Sequence, residues 1–241
     1  MIKVAILIDG GYLLKRLPIV RPDVDAHDAE DVSKAVSQLI RGHLSQLNEV
    51  HRVANPLQLL YRAFYYDAWP YERKAHTPID GSAIDFSRTP EALFRKELFE
   101  TLRGSPNLAV RLGDVRKDPS QSWTLKAGPQ KELLKGSLAA EQLTDDDFVP
   151  SLRQKGVDMR IGLDIASITL KRQADVVVLV SGDADFVPAA KLARREGMQF
   201  VLDPLWHTIS PDLFEHIDGL RSGFYKPRSR KHYNNEEPDL N

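Results

Sequence analysis

Acidic residues follow two of the most apolar segments of this sequence. Asp9 comes directly after the run at residues 4–8, and Asp183 and Asp185 follow the run at residues 176–180. Both runs are rich in β-branched residues, which predicts strands buried on both faces of a parallel sheet. The carboxyl ends of such strands open onto the crevice in which α/β proteins bind ligands. The sequence therefore predicts that carboxylates from distant parts of the chain converge at one edge of the sheet.

Two further aspartates, Asp158 and Asp164, lie on the helix predicted just before the second run. Their six-residue separation is about 600° of rotation, or about 120° in projection, so the two side chains do not point along one line. Asp158 falls in the first turn, and Asp164 faces away from the isoleucine stripe. Carboxylates brought together repel one another unless a divalent cation compensates them. Their oxygens suit Mg²⁺ or Mn²⁺, and one or two such ions can activate water for in-line displacement at phosphorus.

Composition limits the classes of protein to which the chain can belong. Its 241 residues are 42% hydrophobic, enough to bury the core of one elaborated domain. The 33 Lys and Arg nearly cancel the 34 Asp and Glu, so a polyanionic partner must be held by a local basic patch. The absence of cysteine excludes disulfides, thiolate zinc sites, iron–sulfur clusters and thiol catalysis. The first apolar run is too short for a signal peptide, and no run approaches the about 20 apolar residues of a membrane helix, so we expect a cytoplasmic protein without membrane contact.

The elements that must position the acidic residues alternate along the chain. Helices are predicted after Asp28, which can cap the first of them, and after Thr89, where a proline follows the capping hydroxyl. A loop is predicted directly after Asp9, and a disordered tail over residues 226–241. The alternation favours an α/β doubly wound parallel sheet with right-handed crossovers. The remaining strands are predicted at residues 57–66, 108–115 and, as the last strand, 200–202, and the remaining helices at residues 159–171 and 187–195.

Two long segments, residues 67–90 and 116–150, lack a period and interrupt this alternation. Loops of this length in compact domains are commonly functional or disordered. Lys15, Arg16 and Lys155 lie close in sequence to the predicted acidic edge and are candidates for binding phosphate. The first long segment adds aromatic and basic side chains of the kind that bind single-stranded nucleic acid by stacking and phosphate contacts, namely Trp69, Tyr71, Arg73, Lys74, His76 and Arg88.

Three short motifs occur in a fixed order along the chain. They are the strand ending in Asp9, the sequence Lys-Gly-Val-Asp at 155–158, and the strand ending in Ser-Gly-Asp-Ala-Asp-Phe at 181–186. In this combination they resemble the NYN domains of the PIN-like nuclease superfamily, in particular the LabA-like bacterial branch, and the similarity extends from residue 1 to about 205. The resemblance implies a single NYN/PIN-like domain over residues 1–225. Its fold would be a parallel-sheet Rossmannoid sandwich with helices on both faces, into which the two aperiodic segments are inserted.

The resemblance also implies an activity, metal-dependent endonucleolytic cleavage of RNA phosphodiester bonds. Asp164 is then a further catalytic neighbour of the metal site. Carried over position by position, the metal-site carboxylates that would hold Mg²⁺ or Mn²⁺ are Asp9, Asp158, Asp183 and Asp185. The expected substrate-binding residues are Lys155, Lys15, Arg16 and Ser181, the last of which supplies a hydroxyl behind the ligands.

Two alternatives compete with this interpretation. A phosphatase of the haloacid dehalogenase type also places acidic residues after a strand, but it needs a second aspartate two residues after its nucleophile, where this chain has Gly11. A catalytically weak or inactive RNA-binding or regulatory module with the same fold stays open. Many NYN relatives have Asn three residues after the first aspartate, and this chain has Tyr12 there. The number of metal ions, the choice between single-stranded and structured RNA, and formation of a homo-oligomer also stay open.

Overall fold

The computed structural model describes residues 2–118, 120 and 122–226, in which seven strands form a central sheet and four more form two small antiparallel sheets. The strands in chain order are β1 (Val4–Asp9), β2 (Leu60–Trp69), β3 (Lys74–His76), β4 (Ala83–Asp85), β5 (Leu108–Lys117), β6 (Trp123–Leu125), β7 (Phe148–Pro150), β8 (Leu152–Lys155), β9 (Val176–Val180), β10 (Gln199–Asp203) and β11 (Gly219–Leu220).

The central sheet has the order β11–β10–β9–β1–β2–β5–β8 and is parallel except at one edge. At that edge β8 pairs antiparallel with β5, with Asp114 opposite Lys155. The chain builds one side of the sheet from β1 through β2 and β5, and later builds the other side through β9 and β10. The strand order therefore reverses between β1 and β9, where α/β sheets open a ligand-binding crevice. This architecture confirms the predicted α/β fold, with an antiparallel edge strand added.

Helices cover both faces of the sheet. The helices in chain order are α1 (Gly10–Val20), α2 (Ala29–His51), α3 (Pro90–Arg103), α4 (Ala127–Leu134), α5 (Val157–Leu170), α6 (Val187–Arg195) and α7 (Pro211–Glu215). Side chains of a strand alternate between faces, so Ile6 and Ile8 of β1 pack with α1, α2 and α3, while Leu7 packs with α5 and α6. Within the described residues, no helix combines the length and apolar character needed to cross a membrane.

Most predicted elements occur, and the differences lie at their boundaries and at one edge. The loop predicted after Asp9 is wrong: α1 begins at Gly10, and Asp9 caps it by accepting the backbone N–H of Tyr12. The two glycines that open α1 are poor helix formers, which is why the pattern indicated a loop. The strand at 200–202 is not the last, because β11 follows β10 and pairs with it.

The two long segments contain regular structure and contact each other. Residues 67–90 include the end of β2 and the β3–β4 pair, and residues 116–150 include the β6–β7 pair and α4. The indole N–H of Trp123 donates to the carbonyl of His76, and the carboxylate of Asp145 accepts the backbone N–H of Ile79. The insertions therefore form a joint layer beyond the carboxyl end of β2. The tail predicted to be disordered lies outside the described residues from position 227 onward.

Candidate metal centre

Asp9 is the deepest carboxylate of the predicted site. It ends β1 at the point where the strand order reverses, and its carboxylate accepts the Tyr12 N–H at 3.0 Å and the Ser181 hydroxyl at 3.3 Å. Burial, assisted by the charges of Asp158 and Asp67 and opposed by the two hydrogen bonds, raises the pKa of Asp9 to about 6. A buried carboxylate of this kind is held in its charged form only at a free-energy cost that a cation would remove.

The glycines around Asp9 allow close packing. A Cβ on Gly10 would lie 2.5 Å from the ring of Tyr65, so α1 approaches β2 too closely for any side chain at that position. A Cβ on Gly182 would lie 2.8 Å from the hydroxyl of Tyr12. That hydroxyl donates to the carbonyl of Pro204 at 2.7 Å. Tyr12 thus connects α1 to the turn after β10 by a hydrogen bond. It does not supply the side-chain amide that Asn provides at this position in many NYN relatives.

The remaining carboxylates surround Asp9 from two other elements. Asp158 lies in the first turn of α5, while Asp183 and Asp185 lie in the turn after β9, and all three are exposed. Burial raises the pKa of Asp158, and the nearby charges of Asp183 and Asp185 raise it further. Asp158 therefore interacts with Asp9 on one side and with the β9 turn on the other. The charges of the four carboxylates thus act on one another through Asp158, and their role as metal ligands stays a prediction.

Hydrogen bonds fix the turn after β9. The Ser181 hydroxyl is fully buried, donates to Asp9 and accepts the backbone N–H of Asp183 at 3.3 Å. The carboxylate of Asp183 accepts the N–H of Asp185 at 2.9 Å. Ser181 is thus a positioning residue that joins the end of β1 to the end of β9. Its predicted role behind the metal ligands stays a prediction.

The donor set fits a hard divalent cation, although the carboxylates are not drawn together tightly. No three of the predicted ligands have oxygens within 4.8 Å of one another. Within the described residues the acidic group that meets this spacing is Asp212, Glu215 and His216, on and after the short helix α7. The predicted centre offers only carboxylate oxygens, which suit Mg²⁺ or Mn²⁺, and its deepest member has no ion pair among the described residues.

Asp164 has partners of its own one and a half turns further along α5. Its carboxylate accepts the Tyr66 hydroxyl at 2.8 Å and forms an ion pair with Arg111 at 3.3 Å. Burial raises the pKa of Tyr66, and the Asp164 charge raises it further. Asp164 thus contacts β2 and β5, whereas Asp158 on the same helix interacts with Asp9 and the β9 turn.

The predicted basic residues differ in their surroundings. Lys15 on α1 and Lys155 at the end of β8 are exposed. Arg16 is half-buried, and its guanidinium donates to the carbonyl of Leu205 at 3.0 Å. Arg16 is therefore bound to the turn after β10, while the two lysines have their side chains in solvent.

Two side chains near the centre were missed by sequence reasoning. Asp67 in β2 is fully buried and pairs with Arg95 of α3 at 2.6 Å. Gln154 of β8 and Asp9 both approach Gly11: a Cβ on Gly11 would be 3.6 Å from an Asp9 oxygen and 3.8 Å from the Gln154 amide oxygen. An aspartate inside an apolar strand was a signal for Asp67. Gln154 gave none, because an exposed edge strand of four residues has no marked pattern.

The α/β/α sandwich and the carboxylates at its strand reversal define a PIN-like architecture. Residues 129–214 match the family model for the NYN domain, so the match includes Asp158, Asp183 and Asp185 and begins after Asp9. The matched residues make up about a third of the chain, and over that part the match supports an NYN domain, a family of the PIN-like nuclease superfamily.

Comparison with other proteins adds little to the family match. No curated protein matches the chain. A crystal structure of a protein of unknown function from Vibrio parahaemolyticus is 17% identical, with 92% of this chain and 95% of that chain covered and a TM-score of 0.43. Two sirtuin structures, one with an acetylated peptide, are 9% and 11% identical, with 90% of this chain and 86% of each of those chains covered and TM-scores of 0.30 and 0.31. No conclusion rests on these similarities.

Proposed function

We propose that this protein is a metal-dependent endoribonuclease of the LabA-like branch of NYN proteins, acting in the cytoplasm. In this proposal residues 1–225 form one NYN/PIN-like domain. Asp9, Asp158, Asp183 and Asp185 hold Mg²⁺ or Mn²⁺, and RNA is cleaved at the edge of the sheet where these carboxylates meet. The NYN match supports the nuclease class, and the geometry supports the residues.

One observation carries the proposal: Asp9 differs from the other buried aspartates near the carboxyl ends of the parallel strands. Asp67 of β2 pairs with Arg95, and Asp203 of β10 pairs with His43 at 2.9 Å. Asp9 has no such pair among the described residues and faces Asp158 instead. A buried carboxylate with a second carboxylate as its neighbour is the arrangement that a divalent cation stabilises.

The residues of the chain then have separate tasks. Asp9 and Ser181 form the rigid base of the site, because both are held by backbone elements of the sheet. Asp158, Asp183 and Asp185 supply the solvent-facing ligands. A divalent cation bound there supplies water activation and neutralises charge that develops on the phosphodiester. Lys155 and Lys15 are free to approach the phosphates of the substrate, and Asp164, held by Tyr66, is proposed to support the catalytic end of α5.

Cleavage assays with matched variants test the proposal. The full chain is incubated with mixed single-stranded and structured RNA, with a DNA of the same sequence alongside, in Mn²⁺, in Mg²⁺ or in EDTA. We expect RNA cleavage that requires the cation and is lost in Asp9→Asn and in Asp183→Asn, with circular dichroism unchanged. Asp146→Asn, which alters an exposed carboxylate outside the site, is the control and should cleave normally.

Three results would contradict the proposal. Cleavage that persists in Asp9→Asn would remove this carboxylate from the site. Cleavage of the DNA alone would contradict the assignment to RNA. RNA binding that is unaffected by metal and never leads to cleavage would favour the RNA-binding or regulatory module instead.

A further inference from the structure

A pocket of about 410 Å³ lies beside the candidate metal centre, a volume within the about 300–1,000 Å³ of typical ligand pockets. Its walls are mostly apolar and come from Tyr71, Phe86, Val115 and Leu152. Both long insertions contribute to it: the first supplies the two aromatic rings, and the second leads into β8. The pocket is thus a feature of the segments added to the central sheet.

Polar groups enter this pocket from the side of the metal centre. The Arg95 guanidinium, the Gln154 amide and the Glu91 carboxylate line it, and Glu91 is paired with Arg95. Arg95 is bound to Asp67, whose charge acts on Asp9, and Gln154 and Asp9 both approach Gly11. The pocket and the carboxylates therefore share one boundary, formed by the ends of β2 and β8.

The aromatic side chains of the pocket are held in place by one another. The rings of Tyr71 and Phe86 meet edge to face with centroids 5.4 Å apart, and the indole of Trp123 lies 6.4 Å from Phe86 on its other side. The Trp123 N–H bond to the His76 carbonyl fixes this cluster between the two insertions. Rigid aromatic surface of this kind stacks with a flat heteroaromatic ring at little cost in side-chain entropy.

A basic shelf adjoins the apolar pocket on the side away from the metal centre. A shallow depression of about 570 Å³ shares Tyr71 and Val115 with the pocket and is bordered by Arg73, Arg116 and Lys117. Its lining also includes the Glu72 carboxylate, which is paired with Lys96. All three cations are exposed, and Arg73 and Lys117 form no ion pair among the described residues. The shelf therefore places positive charge next to an apolar, aromatic pocket.

We propose that the apolar pocket binds one unpaired nucleobase of the nucleic acid whose backbone crosses the carboxylates, while the basic shelf holds a neighbouring phosphate. The inference rests on the proposed function and specifies its substrate as single-stranded at this position, because a paired base cannot enter a side pocket. The charges support this occupant: the three exposed cations of the shelf outnumber its one carboxylate, which is already paired with Lys96, and the apolar pocket that shares Tyr71 and Val115 with the shelf suits a base. An apolar peptide side chain would leave the cationic shelf without a partner.

Binding without cleavage tests the pocket separately from the activity. Affinity of the full chain for a fluorescent single-stranded ten-nucleotide RNA is measured by anisotropy in EDTA. We expect Tyr71→Ala to weaken binding by about 5- to 100-fold, the range for loss of one base–aromatic stack. Tyr225→Ala, which removes an exposed tyrosine outside the pocket, is the matched control and should bind as the wild type. A fully paired duplex of the same sequence should bind Tyr71→Ala and the wild type equally.

Photo-crosslinking gives a second measurement on the unaltered chain, so the inference does not depend on the folding of one variant. RNA carrying 5-iodouridine in place of uridine should crosslink to peptides within 67–90 or 148–155. Crosslinks confined to other peptides, or equal affinity of Tyr71→Ala and the wild type, would overturn the pocket assignment even if the wild type cleaves RNA. Weaker binding by Tyr71→Ala in a protein that never cleaves RNA would support base binding in the pocket and contradict the proposed nuclease activity.

Discussion

Asp9 and Asp67 lie near the carboxyl ends of neighbouring parallel strands, yet their surroundings differ. Asp67 is fully buried and compensated from within the protein by the Arg95 guanidinium and the Ala68 N–H. Asp9 is half-buried and has one backbone N–H, one hydroxyl and a facing carboxylate. The protein therefore supplies a cation for the Asp67 carboxylate and none, among the described residues, for that of Asp9.

Asp203 shows the same compensation on the other side of the sheet. Its carboxylate contacts His43 of α2 at 2.9 Å and accepts the Gly223 N–H at 2.9 Å. The backbones of Gly42 and Gly223 approach so closely that a Cβ on Gly42 would overlap the Gly223 carbonyl. Asp203 therefore joins α2, β10 and the chain after β11, which is a structural task. Burial at a strand end is therefore shared by all three aspartates, and Asp9 differs from the other two in having no Arg or His partner among the described residues.

The largest expected effect comes from removing the internal cation of Asp67. Arg95→Met leaves a fully buried carboxylate without its partner, which should lower the free energy of unfolding by about 3–5 kcal/mol. Urea denaturation followed by circular dichroism measures this loss. Arg103→Met breaks an exposed pair with Glu100 on the same helix and should change stability by at most about 1 kcal/mol. If the two variants lost equal stability, Asp67 would not differ from a surface carboxylate.

Removing the charge of Asp9 should have the opposite effect and stabilise the protein when no metal is present. Its folded pKa of about 6 lies above its ordinary value of 3.8, so the folded protein loses stability as the pH rises through this window. Asp9→Asn removes the charge and should stabilise the metal-free protein by about 3 kcal/mol at pH 8. The gain should disappear below about pH 3, where the wild-type carboxyl is protonated in both states. Denaturation at both pH values in EDTA measures it, and a variant less stable at pH 8 would contradict the raised pKa.

A divalent cation should compensate the charge of Asp9 as Arg95 compensates that of Asp67. At free Mn²⁺ of 100 times its dissociation constant, wild-type stability should rise by about 2.7 kcal/mol, seen as a higher melting temperature. Asp9→Asn should gain much less, because it lacks the deepest ligand. Asp212→Asn, in the acidic group on α7, controls for binding there and should respond to Mn²⁺ as the wild type does. A loss of the response in Asp212→Asn, with Asp9→Asn unaffected, would move the metal site to α7.

The smallest expected effect concerns the hydroxyl behind Asp9. Ser181→Ala removes its hydrogen bond to Asp9, which should lower stability by about 1 kcal/mol and raise the pKa of Asp9 above its wild-type value. Carbon-13 NMR titration of the Asp9 carboxyl in metal-free protein measures the pKa. The Thr101 hydroxyl, bonded to the Glu97 carbonyl on exposed α3, provides the control Thr101→Ala, which should leave that titration unchanged. An unaltered Asp9 titration in Ser181→Ala would show that the hydroxyl does not contribute to the site.

Much of the fold could be predicted because local patterns of apolar residues indicate which segments are buried. The runs in β1 and β9 are apolar throughout, which is typical only of strands covered on both faces. The caps Asp28 and Thr89 and the bounds of α6 follow from local hydrogen bonding and helical periodicity. In contrast, α1 and β8 were missed, since their formation depends on contacts with Tyr65 and β5 that no local pattern contains.

The sequence by itself determined which residues could form the centre: the aspartates after β1 and β9, and the pair at the start and middle of α5. Residue type and strand ends carry that information because the carboxyl edge of a parallel sheet collects them. Only the tertiary structure decided which buried carboxylates have a side-chain partner, since Arg95 and His43 reach Asp67 and Asp203 from distant helices. It also decided that two patternless insertions close over an aromatic pocket beside Asp9. The pairing of buried carboxylates and the closing of the pocket both depend on distances between elements that are far apart in the sequence. No single segment contains that information.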